Sequence, residues 1–331
     1  MLFVTVYFWG LYFASLLVNG SPWRIIGGRP VEEGELPYQV SLRRSYNDNH
    51  FCGGSIISSL HILTAAHCMF YSWGGVLPPI VVSVFAGQVG LSPTETSIYR
   101  NASKIITHED FNKTTFANDV AIIELDRELP ISKLISSVAM REVSITSGKC
   151  IVSGWGYQEH ESGIVSETLL AAEVDIIEFS KCQEMYNKDN MTLVEGMLCA
   201  GHEKGETDAC QGDSGGPLVC DGLLTGVVST GAGCGEPDFP GIYADVAKYL
   251  PWVNSHVVST QTTTITNEET TYLTETEADD KHTHVDTTAE ATDARHTTYP
   301  SKELQDYNSK TVFLLDRNLL LISAIIAIVL Q

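Results

Sequence analysis

Basic side chains are scarce in this chain: 20 Lys and Arg stand against 41 Asp and Glu over 331 residues, for a formal net charge of −21. With no cationic patch to displace the counterions of a phosphate backbone, a nucleic-acid partner is disfavoured. Cysteine is missing from everything after Cys234, and glycine from the stretch between Thr260 and Thr311. That stretch holds sixteen threonines and many charges but few large aliphatics, so it cannot bury enough apolar area to offset the cost of ordering it. A long hydrophobic run is also lacking at the C-terminal end. Leu319 to Leu330 is twelve mainly apolar residues, short of the about twenty that a spanning helix needs.

What the chain does hold lies mostly upstream. All eight cysteines fall between Cys52 and Cys234, an even count that reads as disulfides made in an oxidising compartment, with about a hundred pairings open by sequence alone. Leu2 to Val18 are almost wholly apolar and lead to Gly20. This is the pattern of a secretory signal peptide over residues 1–20, although no Lys or Arg precedes the run; an uncleaved signal anchor is the other reading. Either one places the chain in the secretory pathway. Between Ile25 and Val257, Val/Ile-rich runs such as 81–85 and 223–228 alternate with Gly, Pro, Asn and Ser turns, which predicts an all-β domain of many short strands.

The richest stretch is Asp208-Ala209-Cys210-Gln211-Gly212-Asp213-Ser214-Gly215-Gly216-Pro217. It combines a nucleophile, two carboxylates, a cysteine and a glycine-built turn. A serine hydroxyl is a weak nucleophile at its free pKa and needs a base to take its proton and donors for the oxyanion it creates. The base candidate is His67 in Leu63-Thr64-Ala65-Ala66-His67-Cys68, and the carboxylate candidate is Asp119, which leads into the apolar run 120–123 of a buried strand. The order His67, Asp119, Ser214 is one of those in which unrelated hydrolase folds arrange the same three groups.

These boxes, together with Arg24-Ile25-Ile26-Gly27-Gly28, make residues 25–257 resemble the trypsin-like serine proteases of the chymotrypsin family. The resemblance implies two six-stranded antiparallel β-barrels, a C-terminal helix beginning near Asp245, and catalytic groups in the cleft. Ser214 would attack the scissile carbonyl, His67 would carry the proton and Asp119 would orient the imidazole, with the backbone N–H groups of Gly212 and Ser214 as the oxyanion hole. Implied too are the pairings Cys52–Cys68, Cys150–Cys220, Cys182–Cys199 and Cys210–Cys234. Cleavage after Arg24 would free the Ile25 ammonium to pair with Asp213. The chain is therefore expected as a zymogen with a propeptide at 21–24 and an activating trypsin-like protease as partner.

The same resemblance puts Asp208 at the base of the primary pocket, with Gly231 and Gly241 on its walls, where it would pair with Arg or Lys before the cut. Ala209 replaces a frequent serine that helps solvate lysine, so arginine is expected to be preferred. Ser229 and Gly231 would offer backbone groups to an extended substrate, whereas Thr230 stands where an aromatic residue is usual, which leaves the extended subsites open. Protein substrates and protein protease inhibitors are the implied partners. No cofactor or metal is expected. Gln88 stands near the first carboxylate of the calcium loop of pancreatic-type members, few acids follow it, and calcium takes about six to eight oxygen ligands. Pro240 resembles members without sodium activation.

Asn101-Ala102-Ser103, Asn112-Lys113-Thr114 and Asn190-Met191-Thr192 are N-glycosylation acceptors. Residues 258–311 read as a disordered Thr-rich stalk suited to O-glycosylation. The hydrophobic end, 312–331, fits a GPI-attachment signal; as a span it would carry Asp316 and Arg317 into the bilayer. A single-pass anchor and a free secreted form are the alternatives. The expectation is an endopeptidase tethered outside the plasma membrane. The competing reading from another class is a catalytically silent homologue serving as a surface-binding or adhesion module, the usual sign of which is loss of His67, Asp119 or Ser214; all three are present.

Overall fold

A computed structural model describes residues 28–157, 163–202, 204–205 and 208–269, with helical side chains described as far as Val257. The expected signal peptide at 1–20, propeptide at 21–24, Arg24–Ile25 cleavage point, stalk residues 270–311 and hydrophobic anchor signal at 312–331 lie outside the described residues.

Strand β1 (Arg29–Pro30) leads to the first barrel, built from β2 (Gln39–Arg44), β3 (His50–Ile56), β4 (His61–Thr64), β5 (Val82–Ala86), β6 (Ile98–Thr107) and β7 (Ala121–Leu125). The order β2-β3-β4-β7-β6-β5 closes through the antiparallel pairing of β5 with β2. Val40, Leu42, Ile62, Val84 and Ile122 fill its interior without solvent exposure. The second barrel comprises β8 (Lys149–Gly154), β9 (Leu170–Ile177), β10 (Met197–Gly201), β11 (Pro217–Cys220), β12 (Leu223–Thr230) and β13 (Gly241–Asp245). Its order is β9-β10-β13-β12-β11-β8, closed by β8 on β9, and β1 pairs with Leu170 and Ala171 at the start of β9. Closure removes exposed strand edges. It also puts Val152, Leu170, Val174 and Leu218 in a second core.

Helix α1 (Phe179–Tyr186) is capped by Glu178, whose carboxylate accepts from Lys181 N, and Cys182–Cys199 ties it to β10. Cys150–Cys220 joins directly paired residues of β8 and β11. The barrels meet through buried groups of both kinds: Val219, Leu224 and Val227 share the apolar cluster of the first barrel, and Ser153 Oγ donates to Gln39 Oε1 at 2.7 Å.

Helix α2 (Val246–Glu269) departs from the expectation at its far end. It runs past Val257 into the segment read as disordered stalk. Composition argued for disorder because the segment has too little apolar area to offset its own ordering, but a helix already nucleated and packed through Val246, Tyr249 and Val253 extends at little further cost. Neither Gly nor Pro stands between 258 and 269 to stop it. Among the described residues no helix is long and apolar enough to cross a membrane.

Candidate active site

The turn carrying Ser214 is gripped from both barrels. Gly53 N in β3 donates to Ser214 O at 2.8 Å, and Gly215 N donates to Val228 O in β12 at 2.8 Å. Gly212 and Gly215 take φ of +100° and +78°, a region open to glycine at little cost. A Cβ at 215 would also collide with Thr64 Oγ1, so the glycines here are requirements of a sharp turn that holds Ser214 at the cleft. Among the described residues, Gly212 N and Ser214 N enter no backbone hydrogen bond, which leaves two adjacent N–H donors available.

His67 follows β4 in a short 3-10 turn, and the Cys52–Cys68 disulfide pins that turn to β3. Its Nδ1 lies 2.7 Å from Asp119 Oδ2, while its backbone N donates to Asp119 Oδ1 at 2.8 Å. With Nδ1–H given to the carboxylate, Nε2 carries the lone pair that a general base needs. Asp119 is 1% exposed, and a buried carboxylate is costly unless hydrogen-bonded. A third donor completes its satisfaction: Ser229 Oγ, at 2.6 Å from Oδ2. That contact is absent from the sequence reading, which used Ser229 only for its backbone. It arises because the β12–β13 register shifts between Val228 and Thr230, and a bulge re-aims the side chain it carries. The one sequence signal was a small polar residue ending an apolar strand.

A cleft of about 230 Å³ joins His67 and Ser214 to Asp208, Ala209, Ser229, Thr230, Gly231 and Gly241, with Cys210–Cys234 beside it. Phe116, which sequence reasoning missed, also lines it and meets the His67 ring edge-on at 5.5 Å. Asp208 is 4% exposed and accepts only from Ala209 N (2.8 Å) and Gly235 N (3.2 Å) among the described residues. Burial pushes its pKa up to about 7, and the charge of Asp213 adds to this against the two N–H donors. A Cβ on Gly241 would stand 2.7 Å from the Asp208 carboxylate, whereas one on Gly231 meets nothing nearer than Tyr186 Oη at 3.7 Å. Gly241 is thus demanded by the carboxylate itself. Gly231 is not demanded by packing, and any side chain there would take up the pocket's own space.

Asp213 is fully buried and accepts from Gly156 N (2.7 Å) and Cys210 N (2.9 Å). A Cβ on Gly156 would strike its carboxylate. Burial pushes its pKa up to about 6, the behaviour of a carboxyl that lacks a counter-charge. Its expected partner, Ile25, lies outside the described residues.

In the loop compared with a calcium site, the Gln88 amide donates to the Thr94 and Thr96 hydroxyls, an uncharged set. Among the described residues, one grouping places potential metal ligands close together, namely Cys52, His67 and Cys68, and both sulfurs are joined in a disulfide. Asn101, Asn112 and Asn190 are all exposed; Asn101 Nδ2 donates to Asp126 (3.2 Å), and Asn112 Oδ1 accepts from Thr114 N (2.9 Å).

Residues 25–253 match the family model described as Trypsin. The chain is 33% identical to Trypsin I-P1 of Gallus gallus over 77% of its length and 98% of that protein. It is 38% identical to Trypsin eta of Drosophila melanogaster over 74% of its length and 91% of the relative. With Transmembrane protease serine 9 of Rattus norvegicus it shares 37% identity over 75% of this chain and 23% of that one.

Proposed function

Since the chain belongs to the trypsin family of serine endopeptidases, we propose that it is a zymogen-made, surface-tethered protease that cuts after arginine in preference to lysine. The observation that carries this reading is a single cleft lined by Ser214, by His67 bonded to buried Asp119, and by buried Asp208. Ser214 Oγ attacks the scissile carbonyl as His67 Nε2 takes its proton. The oxyanion falls to Gly212 N and Ser214 N, where loss of one donor costs about 100- to 1000-fold in rate. Collapse breaks the C–N bond, His67 protonates the departing amine, and water activated by the same imidazole then hydrolyses the acyl-enzyme.

Asp208 supplies the selectivity. A guanidinium delivers forked donors to a carboxylate with acceptor capacity to spare. Because the ionised form is the one that binds, an arginine side chain displaces the proton that burial holds on Asp208 below about pH 7. Asp213, buried with two N–H donors, suits the ammonium freed by cleavage after Arg24, and the activating enzyme need only recognise that arginine. Each of the catalytic three is retained, so no observation favours a non-catalytic surface module. The hydrophobic end at 312–331 supports GPI attachment, and the eight disulfide-bonded cysteines support a secreted domain.

The test uses the full chain on expressing cells, with residues 21–24 replaced by an enterokinase site. After activation, matched Arg, Lys and Phe substrates are compared against Ser214→Ala. Turnover in the order Arg, Lys, Phe that the substitution abolishes is expected. Equal rates for Arg and Phe would overturn the role of Asp208, and folded, cleaved but inert protein would overturn the triad. Release from the cells by a phosphatidylinositol-specific phospholipase is expected; retention would overturn the GPI reading.

A further inference from the structure

Two adjacent arginines end strand β2, and the fold treats them differently. Successive strand residues face opposite sides. Arg43 is 2% exposed and fully engaged: it pairs with Asp48 at 2.7 Å, donates to Tyr99 Oη and Leu91 O, and lies over the Phe85 ring. Arg44 has no ion pair among the described residues, and its buried Nη1 lacks a hydrogen-bond partner. Its guanidinium stacks on Phe51 at 3.8 Å, and the titratable groups that act on it are the phenols of Tyr46 and Tyr71. A buried donor left unmatched costs free energy that an incoming acceptor would recover.

The surroundings of Arg44 are presented outward. Tyr71 stacks on Trp73 at 4.7 Å and 11°, yet Trp73 is 76% exposed. Its ring lies over Gly75, where any Cβ would collide with it. Glycine at 75 is therefore what lets an indole rest on this turn while facing solvent.

The patch also has a definite relation to the reacting groups. Phe51 precedes Cys52, and the Cys52–Cys68 disulfide lies against the nucleophile turn, with Cys68 Sγ 3.7 Å from both Ser214 O and His67 Nε2. Ser214 sits between β12 on one side and β3 on the other. If the acyl side of a substrate pairs along Ser229–Gly231 at the end of β12, the departing side leaves over β3, toward Phe51. Phe51 lies two strand residues, about 7 Å, from Gly53, whose N–H holds Ser214 O, and three extended substrate residues span about 10 Å.

We propose that Arg44, flanked by Phe51 and the Tyr71–Trp73 stack, forms a leaving-side subsite that selects an acidic side chain within the first three residues after the cut. The inference rests on the protease reading above and deepens it. It also bears on activation: Ile25, Ile26, Gly27 and Gly28 follow Arg24 in this chain, so its own activation sequence lacks the acid the subsite takes. Self-activation is accordingly slow, and a separate enzyme makes that cut.

The activated full chain is assayed with quenched fluorescent peptides that are identical through the Arg and carry Asp, Gly or Lys at the first, second or third position beyond it. Each Asp-to-Lys ratio of kcat/KM is taken within one preparation, so it does not depend on how much active protein a variant yields. At one position the wild-type ratio should be about fivefold at low salt, the scale of a partly exposed ion pair, and should fall toward one in high salt. Arg44→Glu should invert it and Arg44→Gln should level it; if the glutamate variant does not fold, the glutamine variant and the salt dependence decide. A ratio of one at all three positions, or a ratio that both substitutions leave in place, would overturn the subsite. Failure of the wild type to cut any Arg peptide would overturn the protease reading and this inference with it.

Discussion

Two buried aspartates serve the cleft, Asp119 behind His67 and Asp208 at the floor, and the two are provided for differently. Asp119 receives His67 N, His67 Nδ1 and Ser229 Oγ. Asp208, on the floor, receives one backbone N–H group on each oxygen, and burial pushes its pKa up to about 7. The fold completes the first carboxylate with its own donors, which makes Asp119 a positioning group. It leaves the second short of partners in a cleft of about 230 Å³, which suits the role proposed for Asp208, a receptor for a cation brought by the substrate. The arginines of β2 repeat the contrast in positive charge. Buried charge that a fold leaves incompletely matched marks where a ligand completes it.

Removing the carboxylate behind His67 has the largest expected effect. Asp119→Asn should lower kcat about 10⁴-fold, because an amide no longer fixes the imidazole tautomer; single-turnover kinetics on an Arg ester would show it in acylation. Asp208→Asn should cost about 10²- to 10³-fold in kcat/KM on the same ester, the scale for truncating one partner of a buried charge pair. Ser229→Ala should lower kcat about tenfold by removing one donor to the Asp119 carboxylate, and Ser229→Thr, which keeps the hydroxyl, should restore most of it. If Ser229→Ala is silent, the two donors from His67 suffice and the contrast between the aspartates is weaker than drawn.

The smallest effects are pH-dependent and separate Asp208 from Asp119. A small amidinium or guanidinium compound should bind more weakly as pH falls below about 7, since protons compete for Asp208, and Asp208→Asn should flatten the profile; titration calorimetry between pH 5 and 8 reads both. Stability carries the matching sign. The folded pKa of Asp208 lies above its unfolded value, so the folded state holds a proton that the unfolded chain releases, and stability is lost as pH rises from about 4 through 7. Melting temperatures of wild type should therefore fall relative to Asp208→Asn across that range.

Much of this arrangement is legible in the residues. The His67, Asp119 and Ser214 boxes are local, because each group needs particular neighbours: a disulfide cysteine after His67, an apolar strand after Asp119, and glycines around Ser214. What the sequence does not disclose comes from register and packing. Ser229 reaches Asp119 only through a one-residue shift between β12 and β13, and Phe116 reaches His67 only through a loop held at φ +57°. Neither has a local signature, since alternation alone does not reveal a bulge and a bulky residue is uncommon at positive φ. The far end of α2 is hidden for a related reason: composition weighs what the segment can bury on its own, whereas the helix is nucleated by a packed segment upstream.

The most direct test of the contrast is the Arg-over-Phe selectivity ratio of the activated full chain, measured for wild type, Asp119→Asn and Asp208→Asn on the same pair of peptides. The ratio should survive Asp119→Asn despite the collapse in rate, and should be lost in Asp208→Asn while Phe turnover persists. A wild-type ratio retained by Asp208→Asn would contradict the assignment of the floor carboxylate as the receptor for the substrate cation.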